Sequence, residues 1–432
     1  MKIAYFTPVS PQRTGIADYS EREVLPYLSR YANIDVFIDE RIKPSNEALV
    51  SNFPIYSYTE YSKMRNEYDI ALYHMGNSEY HEFIYKCLID YPGITVLHDI
   101  YLHGFLWCCS LSRGDRERYL KEFEYCHGSE GLEIAKRAME SGVYPEFEYP
   151  LIKRIVDNSL GIVCHSNFGL TKALECDSTA IVSKINHPLR IPEEIKIIDR
   201  IDVEDLKMKL GIDEAKLVIT SFGFVSAHKR YPILFSAFKS FLKDYPNSIL
   251  LLVGEDLLGI DRLVSDLGIG KSIKKTGYSP FNRIIEYLAV SDFCVNLRYP
   301  TAGETSGSVL RIMAAGKPVI VSNIGWFSEI PDSCCLKVDV DSYEEEILLE
   351  YMKLLASNAH LRRTLGTNAK DYVIKEHDPE TIARQYYMFI RDVLNGNEII
   401  INSISEKLFQ LGISDDDDDI IRKISERAHE LF

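Results

Sequence analysis

Short apolar runs bounded by helical patterns recur along almost the whole chain, and this alternation limits the possible folds more than any other feature. Runs at 3–6, 34–38, 70–74, 95–98 and 161–165 read as strands, and helical spacing fills stretches such as 17–31 and 80–90 between them. The runs are apolar without strict alternation, as expected of strands covered on both faces, and strands joined through helices pair in parallel. The pattern breaks around 188–211, where Arg190, Pro192 and the charged residues after them read as a linker and a lead-in helix. It then resumes with strands predicted at 217–222, 249–253, 273–276, 293–297 and 319–321, and helices at 231–245, 280–291 and 306–315. The expectation is an α/β chain of two doubly wound parallel sheets in series, residues 1–195 and 196–375. Residues 376–432 form a helical tail whose first part packs back on the N-terminal domain. Pro379 suits the start of that tail helix.

A chain of 432 residues exceeds one ordinary core, which agrees with two domains. Charged residues make up 26% and no apolar run is long enough to span a bilayer, so the composition is that of a globular protein. The N-terminus enters a strand-like run directly, without a signal-peptide pattern, and a cytoplasmic location is expected. A net charge of -15 argues against a nucleic-acid partner, which needs a basic face. The nine cysteines are scattered and lack a CxxC pair, which fits reduced thiols and no zinc site. The aspartates at 415–419 read as the cap of a following helix, because a hard-cation loop needs spaced ligands and a turn glycine.

Ligands of open parallel sheets bind beyond the carboxyl ends of the strands, and four segments there carry chemistry. In 298–322 a predicted strand runs into the loop Gly303, Glu304, Thr305, Ser306, Gly307 and then into a helix. Free amides at a helix start make an anion seat, and glycines let a phosphate approach the backbone. The segment 221–230 repeats the strand–loop–helix arrangement around Gly223 and adds Lys229 and Arg230, two adjacent cations suited to a diphosphate. His98 ends a predicted strand of the first domain and points to the cleft; its bland alternative is a core histidine tied to Asp99. The loop 7–19 after the first strand, containing Gly15, faces the same cleft.

These segments together resemble the retaining glycosyltransferases of family four, which have the GT-B fold of two facing Rossmann-like domains. The resemblance runs to about residue 395 and is most specific at 310–318 and 223–229. It implies that the second domain holds a nucleotide-diphosphate sugar and the first binds the acceptor. Lys229 would contact the donor diphosphate, and Glu304, Thr305, Ser306 and Gly307 would cradle sugar and phosphate. Tyr278 would pack the base, Gly15, Gly223 and Gly254 would line the donor site, and His98 would reach the transferred sugar. His98, Lys229 and Glu304 are thus the expected catalytic residues. No cofactor and no metal are expected, because cations and amides neutralise the departing diphosphate. The implied activity is metal-independent hexosyl transfer with retention, in cell-surface polysaccharide or glycolipid synthesis, onto a glycan or lipid-linked acceptor. The chain departs from the family pattern in several places. Gly15 stands alone where a glycine pair is usual, and Phe224 occupies the place of an arginine, whose charge Arg230 is expected to supply. The family's two glutamates align on Gly303 and Arg311, with Glu304 one place from the first. Glu304 is expected to contact the donor, with Arg311 pairing with it or reaching the diphosphate.

Two other readings compete. A dehydrogenase should show G-x-G-x-x-G after its first strand, and the loop after 3–6 lacks that spacing. A non-catalytic sensor of nucleotide sugars would keep the anion seat without needing His98. A peripheral membrane contact is a further expectation, since the apolar stretch 103–111 is followed by Arg113, Arg116, Arg118 and Lys121.

Overall fold

The computed structural model describes residues 1–192, 195, 198, 201–212 and 217–410, with only the backbone described at 281–282 and 397–410. Two wholly parallel sheets follow one another along the chain. The first has seven strands: β1 Lys2–Phe6, β2 Asn33–Ile38, β3 Ile55–Ser57, β4 Ile70–Met75, β5 Gly93–Leu97, β6 Ser159–Cys164 and β7 Val182–Lys184, in the order β3-β2-β1-β4-β5-β6-β7. The second has six: β8 Leu217–Phe222, β9 Ser248–Val253, β10 Ile273–Gly277, β11 Phe293–Asn296, β12 Val319–Ser322 and β13 Leu336–Val338, in the order β10-β9-β8-β11-β12-β13. Every residue of β4, β5, β11 and β12 is buried, as two-sided cover requires. The strand order reverses at β1/β4 and at β8/β11, so the loops leaving those strands diverge and open a crevice in each domain.

The expected strands are present, and three short edge strands, β3, β7 and β13, add to them. Their sequences are only half-buried, so they lack the continuous apolar signal of the central strands. The expected single helix over 17–31 is divided into Gly15–Asp18, a π-helical stretch Tyr19–Val24, and Leu25–Leu28. Pro26 has no N–H for an α-helical bond back to Arg22, which accounts for the break in the α-helical ladder. Residues 116–141 form the longest helix of the first domain, capped by Asp115 and kinked at Gly128, whose φ is 63°.

Beyond 188 the helix Val203–Leu210 starts at its Asp202 cap and ends on left-handed Gly211. The aspartates at 415–419 lie outside the described residues. Helix Pro379–Gln410 begins at the expected proline and returns to the first sheet. Its buried Ile382, Tyr386, Ile390 and Val393 share one core with Ile3, Tyr5, Leu25 and Val163. The Tyr386 hydroxyl meets that of Tyr19 at 2.6 Å, and Glu380 accepts from Tyr31 Oη at 2.8 Å. Where the chain crosses between the domains, its two passages are tied together. Leu189 N donates to the His377 carbonyl at 2.9 Å, and Asn186 Nδ2 to that of Glu376 at 3.0 Å. All nine cysteines are free thiols. No helix among the described residues is long and apolar enough to cross a membrane.

Because Tyr386 is wholly buried in the first domain's core, Tyr386→Ala is expected to cost about 3–5 kcal/mol of stability. A urea titration that found an unchanged midpoint would contradict this packing.

Candidate active site

The loop after β11 is organised by one buried charge pair. Arg298 is 7% exposed; its backbone amide donates to Ser322 Oγ at 2.8 Å and its side chain lies over the Phe327 ring. Its Nε sits 2.9 Å from Glu304 Oε1, close enough for an ion pair although not aligned as a hydrogen bond. The other oxygen of Glu304 accepts from Thr301 Oγ1 at 2.8 Å and from Ala302 N at 2.9 Å, which folds 301–304 into a tight turn. Gly303 has a φ of 85°, and a Cβ there would stand 2.6 Å from Ile100 of the other domain, so only glycine fits. Ser306 caps helix Gly307–Ala314 by accepting from Val309 N at 3.3 Å. Arg311 folds back along the first turn of this helix, its guanidinium 3.1 Å from where a Cβ on Gly307 would be. The helix start therefore presents amides with a cation alongside, and the buried Thr305 hydroxyl beside it has no hydrogen-bond partner.

The loop after β8 faces this helix. Gly223, at φ 95°, is pressed between Gly254 and Lys229. A Cβ on Gly254 would lie 2.3 Å from the Gly223 carbonyl, and one on Gly223 would lie 2.4 Å from Lys229 Nζ. Gly254 is therefore demanded by close approach of the backbone and Gly223 by its positive φ. Lys229 is 7% exposed and its Nζ donates to the Phe222 carbonyl at 2.6 Å. Burial, and secondly the nearby Arg298, lower its pKa to about 7. It lies beneath Gly223 and near Ser308, behind the surface of the cleft and not in it.

Two connected cavities result. The first, about 140 Å³, is a mainly apolar slot in the second domain lined by Phe222, Gly223, Gly254, Tyr278, Ile284 and Arg311. Tyr278 stands 71% exposed at its rim, with Arg13 of the first domain 5.9 Å over its ring. The second, about 320 Å³, lies between the domains and is polar; Gly15, His98, Asp99, His187, Glu304 and Arg311 are among its walls. Ser308 and Arg311 line both. Thr305 and Gly307 also face the second cavity, while Ser306 is buried as the cap.

Several expectations are corrected. Arg230 does not supply the charge missing at Phe224. Its guanidinium is held in a two-pronged pair with Glu344 and lies over Tyr299, and it lines neither cavity. Arg311 does not pair with Glu304, which is taken by Arg298; it stands 4.0 Å from Glu23 of the first domain. Little of the stretch 103–111 is open to an outside surface, and its Trp107 and Cys108 are half-buried. Phe105, Leu106 and Cys109 are buried in the first core, Arg113 and Arg118 pair with Glu82, and Lys121 with Glu117. His98 bonds His74 and not Asp99, whose Oδ2 takes Asn77 N at 2.8 Å.

Glu23, Asp99, His187 and Arg298 belong to the site and were not singled out from sequence. Burial raises Glu23 to about 7, and burial together with Glu304 raises Asp99 to about 7. Both carboxyls are therefore easily neutralised, which lessens their opposition to an incoming anion.

Comparison with known proteins agrees with this geometry. Residues 202–372, which hold the anion seat and the slot, match the family model described as glycosyl transferases group 1. The alpha-monoglucosyldiacylglycerol synthase of Acholeplasma laidlawii is 25% identical over 203 residues, covering 46% of this chain and 50% of that protein. The chain thus spans about half the length of the curated relatives it matches. Two solved structures share the whole fold. The Anabaena protein Alr3699/HepE in complex with UDP superposes at a TM-score of 0.61, with 17% identity, 91% of this chain and 100% of that one. The sucrose-phosphate synthase of Thermosynechococcus elongatus gives 0.62, with 16% identity, 92% and 100%. The architecture is the GT-B fold, two Rossmann-like domains facing a cleft.

Glu304→Gln keeps an acceptor for Thr301 and Ala302 but leaves Arg298 without its counter-charge. Since Glu304 is partly open to the cleft, the expected cost is about 1–3 kcal/mol, below that of a fully buried pair. The double variant Arg298→Met/Glu304→Gln is expected to recover part of it. Strict additivity in denaturant titrations would show that the two do not interact.

Proposed function

We propose that this protein transfers a sugar from a nucleotide-diphosphate sugar to an acceptor hydroxyl. One observation carries the reading: an apolar slot and a polar interdomain cavity meet at a helix start flanked by Arg311, with Lys229 behind Gly223. A base fits the slot beside Tyr278, a diphosphate fits the junction, and a sugar fits between Glu304 and the wall that holds His98 and Asp99. Negative charge grows on the departing diphosphate in the transition state. Lys229, Arg311 and the amides of Gly307 and Ser308 are the groups that answer it. These groups perform the task usually given to a divalent cation, so transfer proceeds without one. Retention of the anomeric configuration and a hexose as the transferred group follow from the resemblance to family-four enzymes.

The Anabaena structure named above contains UDP, and the Acholeplasma relative is by name a synthase of a glucosylated diacylglycerol. These support a uridine diphosphate sugar as the first donor to test and a glycolipid or polysaccharide as the class of product. A thermal-shift series with UDP, GDP, ADP and their sugars tests the reading: a nucleotide that binds the folded state raises the melting temperature. No shift with any of them, together with no donor hydrolysis or transfer, would refute it, whereas binding without turnover would indicate a sensor. Activity is expected to survive excess EDTA.

Lys229→Ala is expected to lower turnover by about 100-fold or more with the fold intact, as for other preorganised charge stabilisers. The same lysine makes UDP affinity depend on pH. Below pH 7 it is already charged in the free protein. Above pH 7 it is neutral, and a bound diphosphate must draw a proton onto it. Affinity is therefore expected to fall as pH rises from 7 to 9, by up to about tenfold per unit. Calorimetry in buffers of different ionisation enthalpy should show proton uptake at pH 8 that is reduced in Lys229→Met. Uptake unchanged in that variant would remove Lys229 from the seat.

A further inference from the structure

A group of buried histidines gathers around one tyrosine where the strands of the first domain end against the cleft. His74 lies in β4, His98 and His165 directly follow β5 and β6, and His187 lies where the chain departs for the second domain. The Tyr19 ring centroid is 5.7, 4.6, 5.2 and 4.8 Å from those of His74, His98, His165 and His187. His377, on the returning passage, joins them by donating to the His187 carbonyl. The Tyr19 hydroxyl is turned away to Tyr386, and no ion pair to any of these rings occurs among the described residues. Burial lowers all five pKa values, so each ring is neutral and carries one proton. Hydrogen-bond accounting then locates those protons.

Three assignments are immediate. The Nδ1 atoms of His165, His187 and His377 lie 2.8, 2.7 and 2.6 Å from the carbonyl oxygens of Ile185, Pro188 and His187. A carbonyl only accepts, so these three rings are protonated on Nδ1 and bare on Nε2. The remaining pair meets ring to ring, with His74 Nδ1 3.0 Å from His98 Nε2. If His98 donated, the proton of His74 would sit on Nε2, a buried atom with no partner. An orphaned buried N–H is both costly and rare. If His74 donates, only a lone pair is left unmet at its Nε2, as at His165 and His377. The proton of His98 is then on Nδ1, which has no partner among the described residues and is not sealed from the cavity that His98 lines.

We propose that His74 is a positioning residue that holds His98 as its Nδ1–H tautomer, so that the interdomain cavity meets a hydrogen-bond donor at His98 and an acceptor at His187. The functional meaning rests on reading that cavity as the sugar site. A sugar hydroxyl both accepts and donates, so a wall carrying one neutral donor and one neutral acceptor can read hydroxyls of either orientation. Because neither ring bears a charge, neither competes with Lys229 and Arg311 for the diphosphate. His98 cannot be the cation that answers the leaving group; it acts as a neutral donor.

The test is long-range ¹H–¹⁵N correlation of the imidazole nitrogens in the full, ligand-free chain, with His98 and His187 assigned by single His→Asn variants. Both rings are expected to show the Nδ1–H pattern, unchanged from pH 6 to 8. The Nε2–H pattern at His98, or an even mixture, would overturn the proposal. In His74→Leu nothing donates to His98 Nε2, and the ring gains by turning that atom toward cavity water. Its signals are expected to broaden or shift toward mixed tautomers. In His74→Asn, whose amide can donate from the same place, the Nδ1–H pattern is expected to return. A His98 pattern in His74→Leu identical to wild type would remove the positioning role, and the wild-type spectrum decides the tautomer even if both variants fold poorly. These measurements use no donor, so their outcome is separate from that of the UDP titrations that test sugar transfer.

Discussion

The turn 301–304 presses into the first domain, and the arrangement of the cleft follows from that contact. The Ala302 carbonyl accepts from both Ile100 N and Tyr101 N, at 2.7 and 3.1 Å, while Gly303 lies against Ile100 with no room for a side chain. These are backbone contacts at the end of β5, so they fix the distance between His98 and Asp99 on one wall and Glu304 on the other. A second tie lies further along. Glu329 of the second domain caps the first domain's helix Asn167–Cys176 by accepting from Asn167 N and Phe168 N at 2.9 and 2.8 Å. A carboxylate at a helix start also gains from the dipole, so this tie is stronger than an exposed ion pair.

Within that frame, the charges are arranged to favour an anion at the junction. Arg298 is neutralised by Glu304 and holds the turn, so it contributes form more than field. Lys229 is kept near its neutral point by burial and Arg298, and Glu23 and Asp99 are kept near theirs by burial. Groups poised in this way can follow the charge of a ligand at little cost, taking protons as an anion arrives. The neutral histidines continue the pattern, since fixed charges that are few and partly buried act more strongly on whatever they face.

Much of this was legible in the sequence because it is local. The central strands announce themselves by apolar runs that needed no partner to be recognised, and the anion seat by glycines and a Ser306 cap within a few residues of each other. Pro379 marked its helix for the same reason. What escaped depends on distant partners. Nothing near Arg230 forecasts Glu344, 114 residues away, and nothing near Glu304 distinguishes Arg298 from Arg311 as its partner. The stretch 103–111 leaves an interfacial reading open beside a buried helix until Tyr119, Phe123 and Tyr144 are seen against its His103 and Trp107. The histidines lay at four strand ends far apart in sequence, and only the parallel sheet, which brings all carboxyl ends to one edge, makes them a group.

The arginine at 311, where the family-four enzymes that the chain resembles carry a glutamate, has its setting in the same non-local terms. Glu23 reaches the cleft from the π-helical stretch of the first domain, where it accepts the Arg190 amide and is buried enough to be pushed up to about 7. The Arg311 guanidinium, 4.0 Å away, favours its ionised form. A glutamate at 311 would instead face a second buried carboxyl, and each would raise the pKa of the other until one or both held a proton. A site already containing Glu23, Asp99 and Glu304 would then carry a fourth acid beside the junction of the two cavities. With arginine there, the same position supplies a cation to that place and a counter-charge to Glu23, and it does so across the domain boundary. The residue at 311 is therefore set by position 23, through a partner in the other domain.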